Sequence, residues 1–318
     1  MSTTSKSPRR VLLAAYAVAQ EVLPAYASRY SRKDFTQPQL LACLVLKEFL
    51  NTDYRGVAAM LEDCEDLRQV IDLDKTPHFT TLHKAHDRLL LAPSAKRLLD
   101  QTVAMGVQAK IIKPTVELAA IDASGFEAHH TSRYFVRRCE KGGKISGKTQ
   151  TTTYRRFPKA AIACDCPSHM ILAVHTERGP SPDILHLERV MVQALGRVRI
   201  RTALADAGYD AESSHELLRH DLNVRSIIPA TIGRPTDKPP TGYFRRWMSQ
   251  RLHLTRYGQR WQCETVFSMI KRRLGSTLGA QTYWRQNRAM TLKAIFHNIL
   301  ILLWIQRVST EHVRNLFA

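Results

Sequence analysis

Apolar and polar positions along the chain change their period near residue 110. Before that point apolar residues recur at the spacing of helices. A well-marked series is Leu40, Leu41, Leu44, Val45 and Leu50. Thr36 can cap this helix, Pro38 is tolerated in its first turn and Gln39 completes a capping box. Further helices are predicted at about 53–61 and after Thr76–Thr81, so residues 1–110 are predicted to be all-helical.

From about residue 111 onward, short apolar segments typical of strands alternate with helical segments. The predicted strands are Glu117–Asp122, Ala160–Cys166, Met170–Thr176, Arg199–Asp206 and Val224–Ile228. The predicted helices are Asp183–Leu195, Ala211–His220, one around Glu264 and one from about Asn287 to Arg307. This is the element order of a ribonuclease H-like mixed sheet. We therefore predict an α/β fold with a helical domain at 1–110 and a ribonuclease H-like domain, closed by a C-terminal helix, at 111–318.

The net charge of the chain indicates which kind of molecule the protein binds. Hydrophobic residues make up 44% and charged residues 24% of the 318 positions, which is ordinary for a globular protein, but the formal net charge of +19 is not. Such an excess of Lys and Arg favours a polyanionic partner, because neutralising phosphates releases counterions. Short helices in a basic protein are compatible with a helix-turn-helix DNA reader. A helical bundle used for packing or dimerisation remains the alternative.

Two segments suit nucleic acid in particular. Residues 133–159 hold nine Lys or Arg against one acid, with aromatic residues between them. Its candidate DNA contacts are Arg137, Arg138, Lys148, Arg155 and Arg156. The second segment precedes Glu264 and offers Arg245 and Arg246. A charged, solvated loop is the alternative in both places.

Three acids are candidate metal ligands. Asp122 and Asp206 each follow an apolar strand and precede small residues, and Glu264 lies on a predicted helix. Acids in such positions can meet at one edge of a mixed sheet, where oxygen ligands select Mg²⁺, with Mn²⁺ as a substitute. Asp210 is a rival for the second position. Each aspartate alone can equally be a turn or helix cap.

The segment Tyr257-x2-Arg260-x3-Glu264-x6-Lys271 is the most specific pattern in the chain. On an α-helix the four side chains fall within a stripe of about 60°. A neighbouring stripe of Cys263, Phe267, Ile270 and Leu274 is apolar and is predicted to face a core. Any two of the polar residues could belong to a solvated face with a helical salt bridge.

The four together resemble the third-carboxylate motif of DDE transposases encoded by bacterial insertion sequences. Asp-x-Gly-Tyr at Asp206 resembles the second-carboxylate motif of the same subgroup, and the resemblance extends over about residues 115–305. It implies a metal-binding catalytic triad of Asp122, Asp206 and Glu264. It also implies that Tyr257, Arg260 and Lys271 contact phosphates or a displaced base at transposon ends, although Tyr257 could instead simply pack.

The activity implied by the resemblance is metal-dependent cleavage at transposon ends followed by 3′-hydroxyl strand transfer into target DNA. The implied partners are double-stranded DNA, as inverted repeats and target, and a second copy of the chain in a dimer or larger synaptic complex. Two alternatives remain open. One is a domesticated DNA-binding protein without catalysis, and the other is a metal-dependent nuclease of the same fold.

The cysteines and the N-terminal segment indicate the cellular compartment of the protein. Six cysteines at irregular spacing suggest a reducing interior, and the polar, basic N-terminus does not look like a secretory signal. Together with the family resemblance, they predict a cytoplasmic, nucleoid-associated bacterial protein. Cys164-x-Cys166-x2-His169 has the residue types of a zinc site but has no clear fourth ligand nearby.

Overall fold

The computed structural model of the protein describes residues 6–128, 156–230, 239–252 and 254–305. Its N-terminal part is helical, as the apolar spacing predicts. The helices are α1 Pro8–Val22, α2 Gln37–Phe49, α3 Tyr54–Asp63, α4 Glu65–Gln69, α5 Phe79–Leu89 and α6 Ala92–Gln108.

Local sequence fixes where several of these helices begin. The capping box predicted for α2 is present: Thr36 Oγ1 accepts from the Gln39 backbone at 3.3 Å, and Gln39 Oε1 accepts from the Thr36 backbone at 2.8 Å. Asp53 caps α3 by accepting from the Gly56 backbone at 2.7 Å. Each cap satisfies backbone N–H groups that a helix start otherwise leaves without partners.

Strands follow α6. They are β1 Thr115–Val116, β2 Ala119–Gly125, β3 Glu127–Ala128, β4 Phe157–Asp165, β5 Ile171–Gly179, β6 Arg199–Ile200, β7 Thr202–Ala205, β8 Arg225–Ile227 and β9 Thr277–Leu278. Among the described residues the main sheet has five strands in the order β5-β4-β2-β7-β8. β2 pairs with β4 and β4 with β5 in antiparallel fashion, whereas β2 with β7 and β7 with β8 are parallel. The predicted ribonuclease H-like mixed sheet is thus confirmed.

The remaining helices flank this sheet. A 3₁₀ turn at Asp183–His186 leads into α7 Leu187–Leu195, and α8 Glu212–Glu216 continues into a wider turn at Leu217–Asp221. The later helices are α9 Tyr243–Arg251, α10 Leu254–Tyr257, α11 Trp261–Leu274 and α12 Tyr283–Ile305. No helix within the described ranges combines the length and apolar character needed to cross a membrane.

The long helix α12 joins the two parts of the chain. It packs against α6, α1 and β5. Its buried Asn298 bonds both backbone groups of Ile171, at 2.8 and 2.9 Å, and donates to Thr102 Oγ1 at 3.0 Å. One apolar core therefore extends from the N-terminal helices through the sheet. The division into domains at residue 110 stays a prediction.

Three features differ in detail from the sequence-based predictions. β2 continues to Gly125, because its pairing with β4 persists to that residue, so Asp122 lies within the strand and not at its end. The predicted strand 199–206 divides into β6 and β7, which pair with different neighbours. The helix around Glu264 is interrupted by a 3₁₀ turn at Gly258–Arg260.

Candidate active site

Asp122 and Asp206 each follow the last paired residue of two neighbouring parallel strands. β2 and β7 pair up to Ile121 opposite Ala205, and in both strands the next residue is an aspartate. Asp122 Oδ1 accepts from the Ala123 backbone at 2.8 Å. Asp206 follows the end of β7 and accepts from the Gly208 backbone at 2.9 Å, which shapes the turn after the strand. Parallel pairing thus brings together two carboxylates that are distant in sequence.

Helix α11 supplies the third carboxylate. Its apolar stripe of Cys263, Phe267, Ile270 and Leu274 is buried, as predicted, and α11 packs against β2 and β4. Burial of that stripe leaves Glu264 on the outer side of the helix, where 56% of its side chain is exposed. Acidic residues in the first turn of a helix are also favoured by the helix dipole.

Arg260 connects the first and third carboxylates. Its Nη1 lies 3.8 Å from Asp122 Oδ2, and its Nη2 donates to Glu264 Oε1. Tyr257, at the end of α10, belongs to the same group: burial raises the pKa of its phenol, and the charges of Asp206 and Glu264 add to the rise, while Arg260 opposes it. The tyrosine and the guanidinium therefore lie among all three acids.

The pKa of the Asp122 carboxyl is affected by the other two acids. Burial raises the pKa of its carboxyl to about 6, and the negative charges of Asp206 and Glu264 add to the rise. The Ala123 hydrogen bond and the Arg260 charge act in the opposite direction. A carboxylate in this position is stabilised in its charged form by a cation. The donor set, oxygen only, fits a hard divalent ion.

Side-chain orientation limits how closely the three acids approach one another. Within the described part of the chain, their oxygens do not form a group in which all ligand atoms lie within 4.8 Å. Glu264 is turned to the Arg260 guanidinium, which itself occupies a position beside Asp122. The positive charge between Asp122 and Glu264 in the structure is therefore the Arg260 guanidinium.

Similarity to a known protein family covers the part of the chain that holds this site. The sequence matches the family model of the transposase DDE domain over residues 115–299, which is more than half of the chain. The chain belongs to the DDE transposase family. The matched region runs from β1 to within α12, and so contains the whole mixed sheet and α11. Assignment to the bacterial insertion-sequence subgroup stays a prediction.

One solved structure similar to this DDE transposase is the cryo-EM structure of the piggyBac transposase synaptic complex with hairpin DNA. The identity is 10%, the coverage is 99% of this chain and 77% of that chain, and the TM-score is 0.43. Similarity at this level does not carry an assignment of function. The sequence matches none of the curated proteins.

Lys271, the last residue of the transposase motif, faces β2. Its Nζ donates to Ser124 Oγ at 2.7 Å and lies 5.3 Å from the centre of the Phe126 ring. Burial lowers the pKa of its ammonium group, while the negative charges of Glu127 and Asp122 oppose that shift. In this conformation the lysine joins α11 to the strand that carries Asp122.

Two predicted DNA contacts on α9 differ in their surroundings. Arg245 makes a bidentate pair with Asp210, with Nε to Oδ1 at 2.9 Å and Nη2 to Oδ2 at 2.8 Å. The Asp210 carboxylate is 0% exposed, so this rival for the second metal position is held by an arginine beneath the surface. Arg246 is exposed and donates to the Pro240 carbonyl at 3.3 Å.

The other basic candidates lie at or beyond the edge of the described structure. Arg156 is exposed at the start of the segment leading into β4. The remaining four lie outside the described residues: Arg137, Arg138, Lys148 and Arg155. Their proposed contacts with DNA stay predictions.

The three residues weighed as a zinc site have other partners. His169 Nε2 lies 2.5 Å from Gln262 Oε1, and Cys166 Sγ lies 3.7 Å from the Gln259 carbonyl oxygen. Cys164 is buried next to Cys263 of α11. These contacts fix the β4–β5 hairpin to α11 and to the 3₁₀ turn before it, and among the described residues the three do not form a metal-binding group.

Sequence reasoning missed two residues close to the acids. Ser124, two positions after Asp122, accepts the hydrogen bond from Lys271. Tyr209 is fully buried behind Asp206; burial raises the pKa of its phenol, and the charges of Asp183 and Asp122 add to the rise. The Asp-x-Gly-Tyr motif contained the signal for Tyr209, because a large aromatic residue three positions after a strand-ending acid is well placed to pack into the core.

Proposed function

We propose that the protein is a transposase that cleaves DNA at transposon ends in a metal-dependent reaction and transfers the exposed 3′-hydroxyl into target DNA. The proposed catalytic and metal-binding residues are Asp122, Asp206 and Glu264. The observation that carries the proposal is geometric: β2 and β7 pair up to the residues that precede Asp122 and Asp206, and Arg260 contacts both Asp122 and Glu264. Family membership supports the same reading.

The three carboxylates would hold Mg²⁺, or Mn²⁺ as a substitute. When bound, such an ion supplies Lewis-acid chemistry that activates a water or hydroxyl and neutralises charge on the scissile phosphate. The protein's own contribution is to fix the donors. Asp122 is held by the β2–β4 and β2–β7 pairing, and Asp206 by its turn, so neither needs to be ordered when the ion binds.

Arg260 has a separate role in the proposal. It neutralises Asp122 and Glu264 in the structure, and a guanidinium beside these acids is suited to bind a phosphate oxygen bidentately. We propose that Arg260 leaves Glu264 for the DNA backbone when the carboxylates bind their ion. Tyr257 lies next to it and offers a ring for stacking on a displaced base.

Double-stranded DNA is the proposed partner, as inverted repeats and as target. The net charge of +19 supports a polyanionic partner. On the outer face of α11, an exposed groove runs past Glu264 and is lined by Trp261, Thr265, Ser268 and Arg272. Aromatic and cationic side chains beside a catalytic acid suit a DNA strand. A dimer or larger synaptic complex is proposed from the family resemblance.

The test is a joining assay with the ends of the element, Mg²⁺ and a target plasmid. Glu264→Gln keeps the size and hydrogen-bonding capacity of the side chain but removes its charge. We expect it to abolish cleavage and joining while it leaves binding of the ends within about twofold, since one neutral substitution changes few phosphate contacts. Full cleavage by this variant would refute the assigned role.

The same assay separates the alternatives. Joined products support transposition. Cleaved but unjoined ends support a metal-dependent nuclease, and retarded but intact DNA supports a binding protein without catalysis. Glu188→Gln is the matched control, because it makes the same substitution at an exposed glutamate on α7. This variant should retain both reactions.

A further inference from the structure

A second group of candidate metal ligands lies at the opposite edge of the sheet from β8. His175 and Glu177 are two residues apart on the edge strand β5, so their side chains point to the same face. His186 ends the 3₁₀ turn that precedes α7. We propose that His175, Glu177 and His186 form a binding site for a divalent transition metal of the Zn²⁺ type, separate from the proposed active site.

The geometry supports a shared ligand. The candidate ligand atoms of the three residues all lie within 4.8 Å of one another. His186 Nδ1 is 3.1 Å and His175 Nε2 is 3.8 Å from Glu177 Oε2, and the two imidazole rings are 5.4 Å apart. These separations are close to those between atoms that bind one ion at about 2.0–2.2 Å each.

His186 provides an independent indication. Its side chain is 1% exposed, and its Nε2 lies 3.1 Å from Ser181 Oγ. When Nε2 donates to the serine, Nδ1 carries the lone pair and faces Glu177. Within the described residues Nδ1 makes no hydrogen bond, although it is buried. Glu177 Oε2 thus lies 3.1 Å from Nδ1 without a hydrogen bond between them, and a metal ion bound by both atoms would satisfy the buried nitrogen.

The charge state of the imidazoles suits metal binding. Burial lowers the pKa of both His175 and His186, so the neutral, ligating form of each is favoured. The serine bond to the remote nitrogen of His186 is the kind of contact that orients metal-binding histidines. Glu177, with 37% of its side chain exposed, lies at the solvent side, where an ion can enter.

Two cationic side chains, Arg189 and Lys159, lie near the site, and their positive charges oppose the binding of a metal ion. Arg189 Nη1 lies 3.4 Å from His175 Nε2, but Arg189 is exposed and can turn into solvent. Lys159 is paired with Asp183 and donates to the Ser181 carbonyl at 2.5 Å, so its charge is already neutralised. One exposed side chain therefore has to move.

The ligand set determines the class of metal. Two imidazoles and one carboxylate suit Zn²⁺ and similar ions, whereas Mg²⁺ prefers oxygen donors. Three protein ligands leave a fourth position for water. The turn that ends at His186 packs against the turn after Asp206: Asp183 Oδ2 lies 3.6 Å from the position of a Cβ on Gly208. A metal ion bound at this site would fix the turn that ends at His186.

Metal binding to the full-length protein tests the site. Zn²⁺ is titrated into the Glu264→Gln protein, whose active-site acids are weakened, and we expect one ion per chain with a rise in melting temperature. His175→Ala and Glu177→Gln, which alter partly exposed side chains, should each weaken binding at least about tenfold. His220→Ala, which removes an exposed histidine elsewhere, should leave binding unchanged.

Co²⁺ in place of Zn²⁺ identifies the ligands. Nitrogen and oxygen ligation gives a visible spectrum without thiolate charge-transfer absorption, and we expect that spectrum to disappear in His175→Ala. Equal affinity of the variants and the parent protein would overturn the proposal. So would a thiolate band, which would place the ion at the cysteines, or a failure of the parent protein to bind Zn²⁺ at about 100 µM.

Discussion

Lys271 donates a hydrogen bond to Ser124 at 2.7 Å, across 147 positions of sequence. The bond joins α11, which carries Glu264, to β2, which carries Asp122. The strand and the helix are held at a fixed distance at this point, seven residues after Glu264 and two after Asp122. A lysine predicted to contact DNA therefore also has a positioning contact in the protein itself.

A double-mutant cycle measures this contact. Ser124→Ala and Lys271→Met should each destabilise the protein, and the pair should show a coupling free energy of about 1 kcal/mol, as expected for a hydrogen bond to a charged group that is partly solvated. Urea unfolding of the four proteins provides the measurement. Arg272→Met is the control, because Arg272 is the exposed neighbour of Lys271. If Lys271 and Arg272 couple equally to Ser124, the contact is not specific.

The turn after Asp206 gives a second prediction. A Cβ on Gly208 would come within 3.0 Å of Asp206 Oδ1. Gly208→Ala should therefore displace the carboxylate and reduce cleavage by about tenfold or more, because small displacements of catalytic groups are costly. Gly258→Ala is the matched control, since no atom lies within 4 Å of its Cβ position. A Gly208→Ala enzyme with unchanged cleavage would show that Asp206 is not held by this turn for catalysis.

Much of the fold could be predicted because its causes are local. The Thr36 and Gln39 capping box sets the start of α2 within the sequence itself. Asp122 and Asp206 could be predicted to lie together because each follows an apolar stretch of strand, and parallel pairing brings these positions level, although β2 continues past Asp122 to Gly125. The buried stripe of α11 follows from helical periodicity.

The finer features of the site depend on side-chain choices that periodicity does not determine. The turn of Glu264 towards Arg260 is a rotamer choice within one helical stripe. Arg245 and Arg246 are adjacent in sequence, and only the tertiary structure brings Asp210 to the first of them. The grouping of His175 with His186 likewise needs the fold of a turn against the edge strand.

Arg245 and Arg246 offer a third prediction. Arg245→Met removes the bidentate partner of a carboxylate that is 0% exposed, and it should lower the free energy of unfolding by about 3 kcal/mol. Arg246→Met should change stability by less than about 0.5 kcal/mol, because its side chain is exposed. Urea unfolding and DNA binding are measured for both. A stable Arg245→Met protein with weakened DNA binding would instead make Arg245 a DNA contact.

Stability below neutral pH should depend on His297, which is buried in α12 and bonds the His169 carbonyl oxygen at 2.9 Å. Burial lowers the pKa of its imidazole from 6.5 to about 4. The folded state therefore binds a proton less readily than the unfolded state, so this contribution to stability is present above pH 6.5 and is lost as the pH falls towards 4. Between pH 7 and pH 5 the loss should amount to about 2 kcal/mol.

The variant His297→Gln tests this, because glutamine keeps a donor for the carbonyl but does not titrate. On acidification it should lose about 2 kcal/mol less stability than the parent protein, as measured by urea unfolding at the two pH values. Parallel losses in the two proteins would mean that His297 is not the group that titrates.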